Sequence, residues 1–70
     1  MTVQSDLKKA LATAQSALGS YQTFAESTQD QTAKTMFQSM ANDMQRHIEQ
    51  INGRLNYLNE NNPLNQQYQQ

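Results

Sequence analysis

The stretch "ESTQDQTAK", residues 26–34, decides how this chain folds, because it interrupts a helical pattern of apolar residues that continues on both sides of it. Thr28 and Gln31 fit the S/T-x-x-E/Q capping box, in which a hydroxyl and an amide satisfy the first free N–H groups of a helix, so a new helix is expected from about residue 29. Asp30 and Lys34 stand four apart in the favourable order for an ion pair on its first turn.

Upstream, with Leu7 set at heptad position a, the apolar residues fall on a, d and e: Val3, Leu7, Ala10, Leu11, Ala14, Ala17, Leu18, Tyr21, Phe24 and Ala25. That is an amphipathic helix with a broad buried stripe, expected over about residues 3–27. Thr2 or Ser5 is a suitable N-cap, and Asp6 complements the helix dipole. Downstream, Ala33, Met36, Phe37, Met40, Ala41, Met44, Ile48, Ile51, Leu55 and Leu58 recur in threes and fours, which excludes the period of two that a strand requires. Asn59, Asn61 and Asn62 ahead of Pro63 end this second helix near residue 60, since proline cannot continue the hydrogen-bond ladder. Residues 1–60 therefore read as a helical hairpin and residues 61–70 as a polar, amide-rich tail. The tail is expected either to be disordered outside an assembly or to dock in extended form through Leu64 and Tyr68.

So short a connection leaves no room for a crossover, and the helices must lie antiparallel. Leu7 and Leu11 should then lie near Leu55 and Leu58, with Tyr21 and Phe24 meeting Met36 and Phe37 at the turn. Three apolar residues per heptad cover a wider arc than one partner helix can bury. Leaving such side chains half exposed forfeits on the order of 1 kcal/mol each, which matters in a small domain. The expected fold class is all-α: an antiparallel two-helix hairpin that pairs, coiled-coil fashion, into a four-helix bundle as a homodimer or higher oligomer. The residues expected to carry that interface, or a partner's helix, are Leu7, Leu11, Ala14, Leu18, Tyr21 and Phe24 of the first helix. From the second come Phe37, Met40, Met44, Ile48, Ile51 and Leu55. Gly19 and Gly53 are expected to mark close approach or slight bending, since each costs about 1 kcal/mol relative to alanine inside a helix.

Composition narrows function further. The 70 residues make one domain at most and contain no cysteine, which excludes disulfides and thiolate metal sites. With 5 basic and 6 acidic side chains, a net charge of −1, and dispersed lysines and arginines, no phosphate track exists and no nucleic-acid partner is expected. The 12 glutamines and 7 asparagines outnumber the charged residues, so the surface hydrogen-bonds without strong electrostatic protection against self-association. No apolar run is long enough for a signal peptide or a membrane span, and the expected location is the cytoplasm without direct membrane insertion.

Candidate chemistry is sparse. Met36, Met40 and Met44 have the spacing of a soft-metal ligand set or an adaptable groove, but any buried stripe demands the same spacing, and they are read as core. Asp43 and His47 could reach one ion from a single helix, giving two ligands, or four across a dimer axis. His47 is the one side chain suited to act as a base at neutral pH, and it has no pocket around it. No catalytic, cofactor-binding or metal residue is assigned, no cofactor is expected, and the chain is read as a non-enzyme.

The opening "MTVQSDLKKALATAQSA" and the middle "STQDQTAKTMFQSMANDMQ" resemble a family of small helical proteins of endospore-forming bacteria, known as a domain of unknown function. Its members open with MTV, a serine at the fifth position and a lysine-bearing first helix. They carry T-Q-(N/D)-x-x-A-K-x-(L/M)-F at the turn into the second helix, here occupied by Thr28, Gln29, Asp30, Ala33, Lys34, Met36 and Phe37. The resemblance spans about residues 1–58. The end "NENNPLNQQYQQ" departs from the family's acidic, proline- and tyrosine-bearing close. Because such proteins are often encoded near genes for the spore's dipicolinic-acid channel, the resemblance implies a sporulation setting, location in the developing spore and a spore protein as partner. It implies no catalytic residues.

Two functions follow as expectations: a self-assembling structural protein linked to sporulation, or an adaptor whose incomplete bundle receives an amphipathic helix from a partner.

Overall fold

A computed structural model describes residues 2–61, so the expectations for the tail lie outside the described residues. Two helices account for nearly all of them: α1, Val3–Ser27, and α2, Gln31–Asn61. Thr2 is extended, and its Oγ1 accepts a 3.0 Å hydrogen bond from the Ser5 N–H, occupying one of the donors a helix start leaves free. Asp6 lies in the first turn, where a negative charge favours the dipole.

The reversal uses Thr28, Gln29 and Asp30. Thr28 turns extended while its N–H still donates to the Phe24 carbonyl at 3.0 Å, closing α1. Its Oγ1 accepts from the Asp30 N–H at 3.3 Å. Asp30 then caps α2: its Oδ2 accepts from the Ala33 N–H at 2.8 Å, and its carbonyl accepts from the Lys34 N–H at 2.9 Å. The cap expected at Thr28 thus sits two residues later, and α2 begins at Gln31. The physical reason is that an ionised carboxylate is the stronger acceptor for a helix-start N–H. The same bond engages Asp30 otherwise than in the expected pairing with Lys34. No described residue has a positive φ, so the chain reverses without any left-handed position.

Along the hairpin the seam positions alternate by three and four: Gln4, Leu7, Leu11, Ala14, Leu18, Tyr21 and Ala25 on α1, and Phe37, Ala41, Met44, Ile48, Ile51, Leu55 and Leu58 on α2, with Ala17, Ala33, Met40 and Asn59 half-buried beside them. A period of 3.5 keeps one seam facing one partner helix and winds the pair left-handed, as in coiled coils. Alanine holds three of the five most covered positions: Ala14, Ala25 and Ala41 are 7–8% exposed, as are Leu55 and Gln4 at 8%. Alanines let the axes close up, and larger side chains flank them. None of the described side chains is fully enclosed. The molecule is a rod of 51 × 17 × 16 Å.

Two further expectations change. Met36 is 58% exposed instead of meeting the aromatic residues at the turn, which Phe37 alone does from α2. Successive residues four apart rotate about 40° around a helix, and Met36 falls off the seam that Met44 joins. Gly19 and Gly53 are not points of close approach: a Cβ at either would meet nothing within 4 Å. Gln4, an amide, is buried at the open end of the seam at 8% exposure, which apolar periodicity could not signal.

Because neither glycine has a packing reason, Gly19→Ala and Gly53→Ala should each stabilise the protein by about 1 kcal/mol, raising the melting temperature by several degrees in circular dichroism. Asp30→Ala should lower stability by about 1 kcal/mol, and Thr28→Ala by less.

Candidate association surface

The seam uses two of the three apolar columns on α1. The third, Val3, Ala10, Ala17 and Phe24, repeats every seven residues along one flank, with Val3 59% and Phe24 46% exposed. On the same side of the rod α2 presents Ala33 and Met40, followed by His47 and Arg54, and beyond them Met36 and, at 54% exposure, Tyr57. The aromatic residues at the turn establish this sidedness. Phe37 stacks on Tyr21 with ring centroids 6.5 Å apart and tilts against Phe24 at 5.4 Å, so Phe24 sits at the edge of the seam with its outer face uncovered.

The opposite side is built from amides. Gln38, Gln45, Asn52 and Asn59 descend α2 at seven-residue spacing, and Gln15 and Gln22 face them from α1. Near the turn these line a shallow open groove floored by Ala25 and Ala41 and rimmed by Gln22, Glu26, Gln38 and Asn42. Residues of both helices share that groove, which fixes the amide columns to one side and the apolar columns to the other.

The expected interface residues divide accordingly. Leu7, Leu11, Ala14, Leu18 and Tyr21 lie on the seam with Phe37, Met44, Ile48, Ile51 and Leu55, where they close the hairpin itself. Phe24 and Met40 lie on the flank that faces outward. Val3, Ala10, Ala17, Met36 and Tyr57 complete that flank and were absent from the expected set. The seven-residue repeat of Val3, Ala10, Ala17 and Phe24 was the signal available for finding them.

Asp43 Oδ1 accepts a 2.7 Å bond from Arg46 Nη2, one turn along α2, and His47 is exposed beside it. Among the described residues no three histidine, cysteine or acidic side chains cluster as a ligand set. Met36, Met40 and Met44 are spread from solvent to seam instead of converging. Arg54 lies 5.1 Å from the centroid of the Tyr57 ring, a cation–π contact that keeps its charge at the rim. No helix among the described residues is long and apolar enough to cross a membrane.

The two aromatic contacts of Phe37 set an order for truncation at the turn. Phe37→Ala should cost about 2 kcal/mol or more in urea unfolding at low concentration, and Phe24→Ala, already half solvated, under ~1 kcal/mol. A larger loss at Phe24 would mean that its outer face is covered in solution.

Comparison with known proteins gives one match. The family model "Protein of unknown function (DUF1657)" matches residues 7–55, most of the hairpin, and the chain belongs to that family. No curated protein and no solved structure matches.

Proposed function

We propose that this member of the family is a non-enzymatic structural protein that assembles with copies of itself through the apolar flank, forming a four-helix bundle. The observation that carries the reading is the third column, in which Val3, Ala10 and Phe24 are exposed and Ala17 is half-buried, so that apolar surface outside the seam runs from one end of α1 to the other. A two-helix contact has no means of covering it, and water-exposed apolar surface of this kind contributes about 25 cal/mol per Å² once buried. A second hairpin is the nearest available cover, being present wherever the protein is. We extend this reading to a sporulating cell, with the cytoplasm of the developing spore as the location and a spore protein as a further partner, on the resemblance of the opening and middle segments to proteins of endospore-forming bacteria. The proposed role involves no cofactor, no nucleic acid and no direct insertion into a membrane.

The second reading is an adaptor whose open flank receives an amphipathic helix from another protein. It is favoured by the thinness of the seam, where alanines are among the most covered residues and no described side chain is fully enclosed.

Mass by light scattering over a wide concentration range, with helicity by circular dichroism on the same samples, separates the two. A dimer or tetramer of constant mass and high helicity supports self-assembly. A weakly helical monomer sinks it and favours the adaptor. The face is tested by charge: Ala17→Glu together with Met40→Glu should weaken association by about 3 kcal/mol, roughly two orders of magnitude in dissociation constant. Gln22→Glu with Gln38→Glu, on the amide side, should leave the mass unchanged.

A further inference from the structure

Among the described residues the large apolar side chains left most exposed are Val3, Phe24, Met36 and Tyr57. They fall into two pairs with the same construction. Val3 and Phe24 end one column, with Ala10 and Ala17 between them at seven-residue steps. Met36 and Tyr57 end another, with Asp43 and Gln50 between them at the same steps. The first column reads large, small, small, large from either end, and the second apolar, polar, polar, apolar. A column of that kind fits a reversed copy of itself, and reversal is the operation of a two-fold axis perpendicular to the helix.

The register of the hairpin decides whether one axis can serve both columns. The midpoint of the α1 column is level with Thr13 and Ala14, and that of the α2 column with Arg46 and His47. Phe37 lies across from the interval between Tyr21 and Phe24. Equal steps away from the turn on both helices bring Thr13 and Ala14 opposite Arg46 and His47. The two midpoints share one height on the rod.

We propose that the hairpin pairs with a second copy in antiparallel orientation, α1 on the partner's α1 and α2 on the partner's α2, about a two-fold axis at that height. This rests on the self-assembly reading and adds the symmetry and the contacts. Val3 then packs on the partner's Phe24, Ala10 on the partner's Ala17, and Met36 on the partner's Tyr57. Each exposed large side chain receives a cover, and the alanines at the centre let the two α1 helices approach closely. The axis lies near the middle of both helices, so the rods overlap over almost their full length. The face of a 51 × 17 Å rod is on the order of 800 Å², the area per partner of a standard stable interface. A net charge of −1 sets no repulsion against two copies meeting. Turn-to-turn pairing, by contrast, would set the α1 column over the partner's α2 and gather both copies of Arg54 at one end of the bundle.

The absence of cysteine allows single-site spin labelling. Dipolar distances are measured on Thr13→Cys and Gln29→Cys, each labelled alone in the full chain. Labels at Gln29, in the turn, should lie roughly 45 Å apart at 1.5 Å per residue from the axis. Labels at Thr13 should lie within roughly 20 Å, the spacing of packed helices plus the label arms. A dimer with close labels at Gln29, or with widely separated labels at Thr13, overturns the antiparallel axis while leaving self-assembly intact. A protein of monomer mass with no dipolar signal at either site overturns self-assembly itself. A charge swap gives an independent reading: Val3→Lys and Phe24→Glu should each weaken the dimer, and the double variant should recover it by pairing opposite charges across the axis. No recovery, with the fold retained in circular dichroism, counts against the contact.

Discussion

A helix facing one antiparallel neighbour can bury only a narrow arc of its surface, and the rest of this molecule follows from that restriction. The turn at Thr28–Asp30, held by the Thr28 hydroxyl and the Asp30 carboxylate, commits α1 and α2 to a single contact along their length. Within that contact the three-four alternation takes up two columns of each helix. Ala14, Ala25 and Ala41 draw the axes together, and Leu, Ile, Met and aromatic side chains stand half covered beside them. Alanine at the tightest positions brings a trade: close axes improve backbone packing but leave little apolar volume per turn, so the hairpin alone gains only a thin core. Whatever apolar surface lies outside the arc remains in water until another molecule covers it.

The two long sides of the rod are consequently different materials. On one, Val3, Ala17, Phe24 and Met40 offer apolar surface that gains free energy from leaving water. On the other, Gln22, Gln38, Gln45 and Asn52 offer groups that both donate and accept hydrogen bonds and that water satisfies fully. The amides themselves carry no charge, and Lys8 and Glu26, at opposite ends of α1 on this side, carry one charge of each sign. The ionic features are local: Arg46 is spent on Asp43 within one turn, and Arg54 lies over Tyr57. A surface so arranged has little to recognise a small charged ligand with, and a good deal with which to recognise another helix.

Much of this was legible in the sequence because helical periodicity is a strong signal over helices this long. The two helices and their packing as a hairpin followed from the spacing of Leu7, Leu11, Phe37, Ile48 and Leu55. What was less legible depended on choices among near-equivalent residues. Thr28 and Asp30 both suit an N-cap, and only the geometry of the reversal assigns Thr28 to close α1 and Asp30 to open α2. Met36 and Met44 look alike in a pattern of fours, yet accumulated rotation puts one in water and the other on the seam. Gly19 and Gly53 suggested close contact by their cost, and open space surrounds both. The division of the stripe into an inner seam and an outer flank needed the partner helix to be placed first, because periodicity reports how wide the apolar arc is but not which edge of it the neighbour takes.

Sidedness also bears on how far association through the flank can proceed. An assembly grows without limit when two different surfaces of one molecule complement each other, since each added copy presents a fresh site. Here the apolar columns outside the seam lie on one side, and on the opposite side the exposed Gln22, Gln38 and Gln45 are open to water. A copy that docks on the flank therefore consumes the one surface that gains from docking and presents amides outward. In the proposed pairing, closure after two copies would rest on the placement of Gln22, Gln38 and Gln45 as much as on that of Phe24 and Met40.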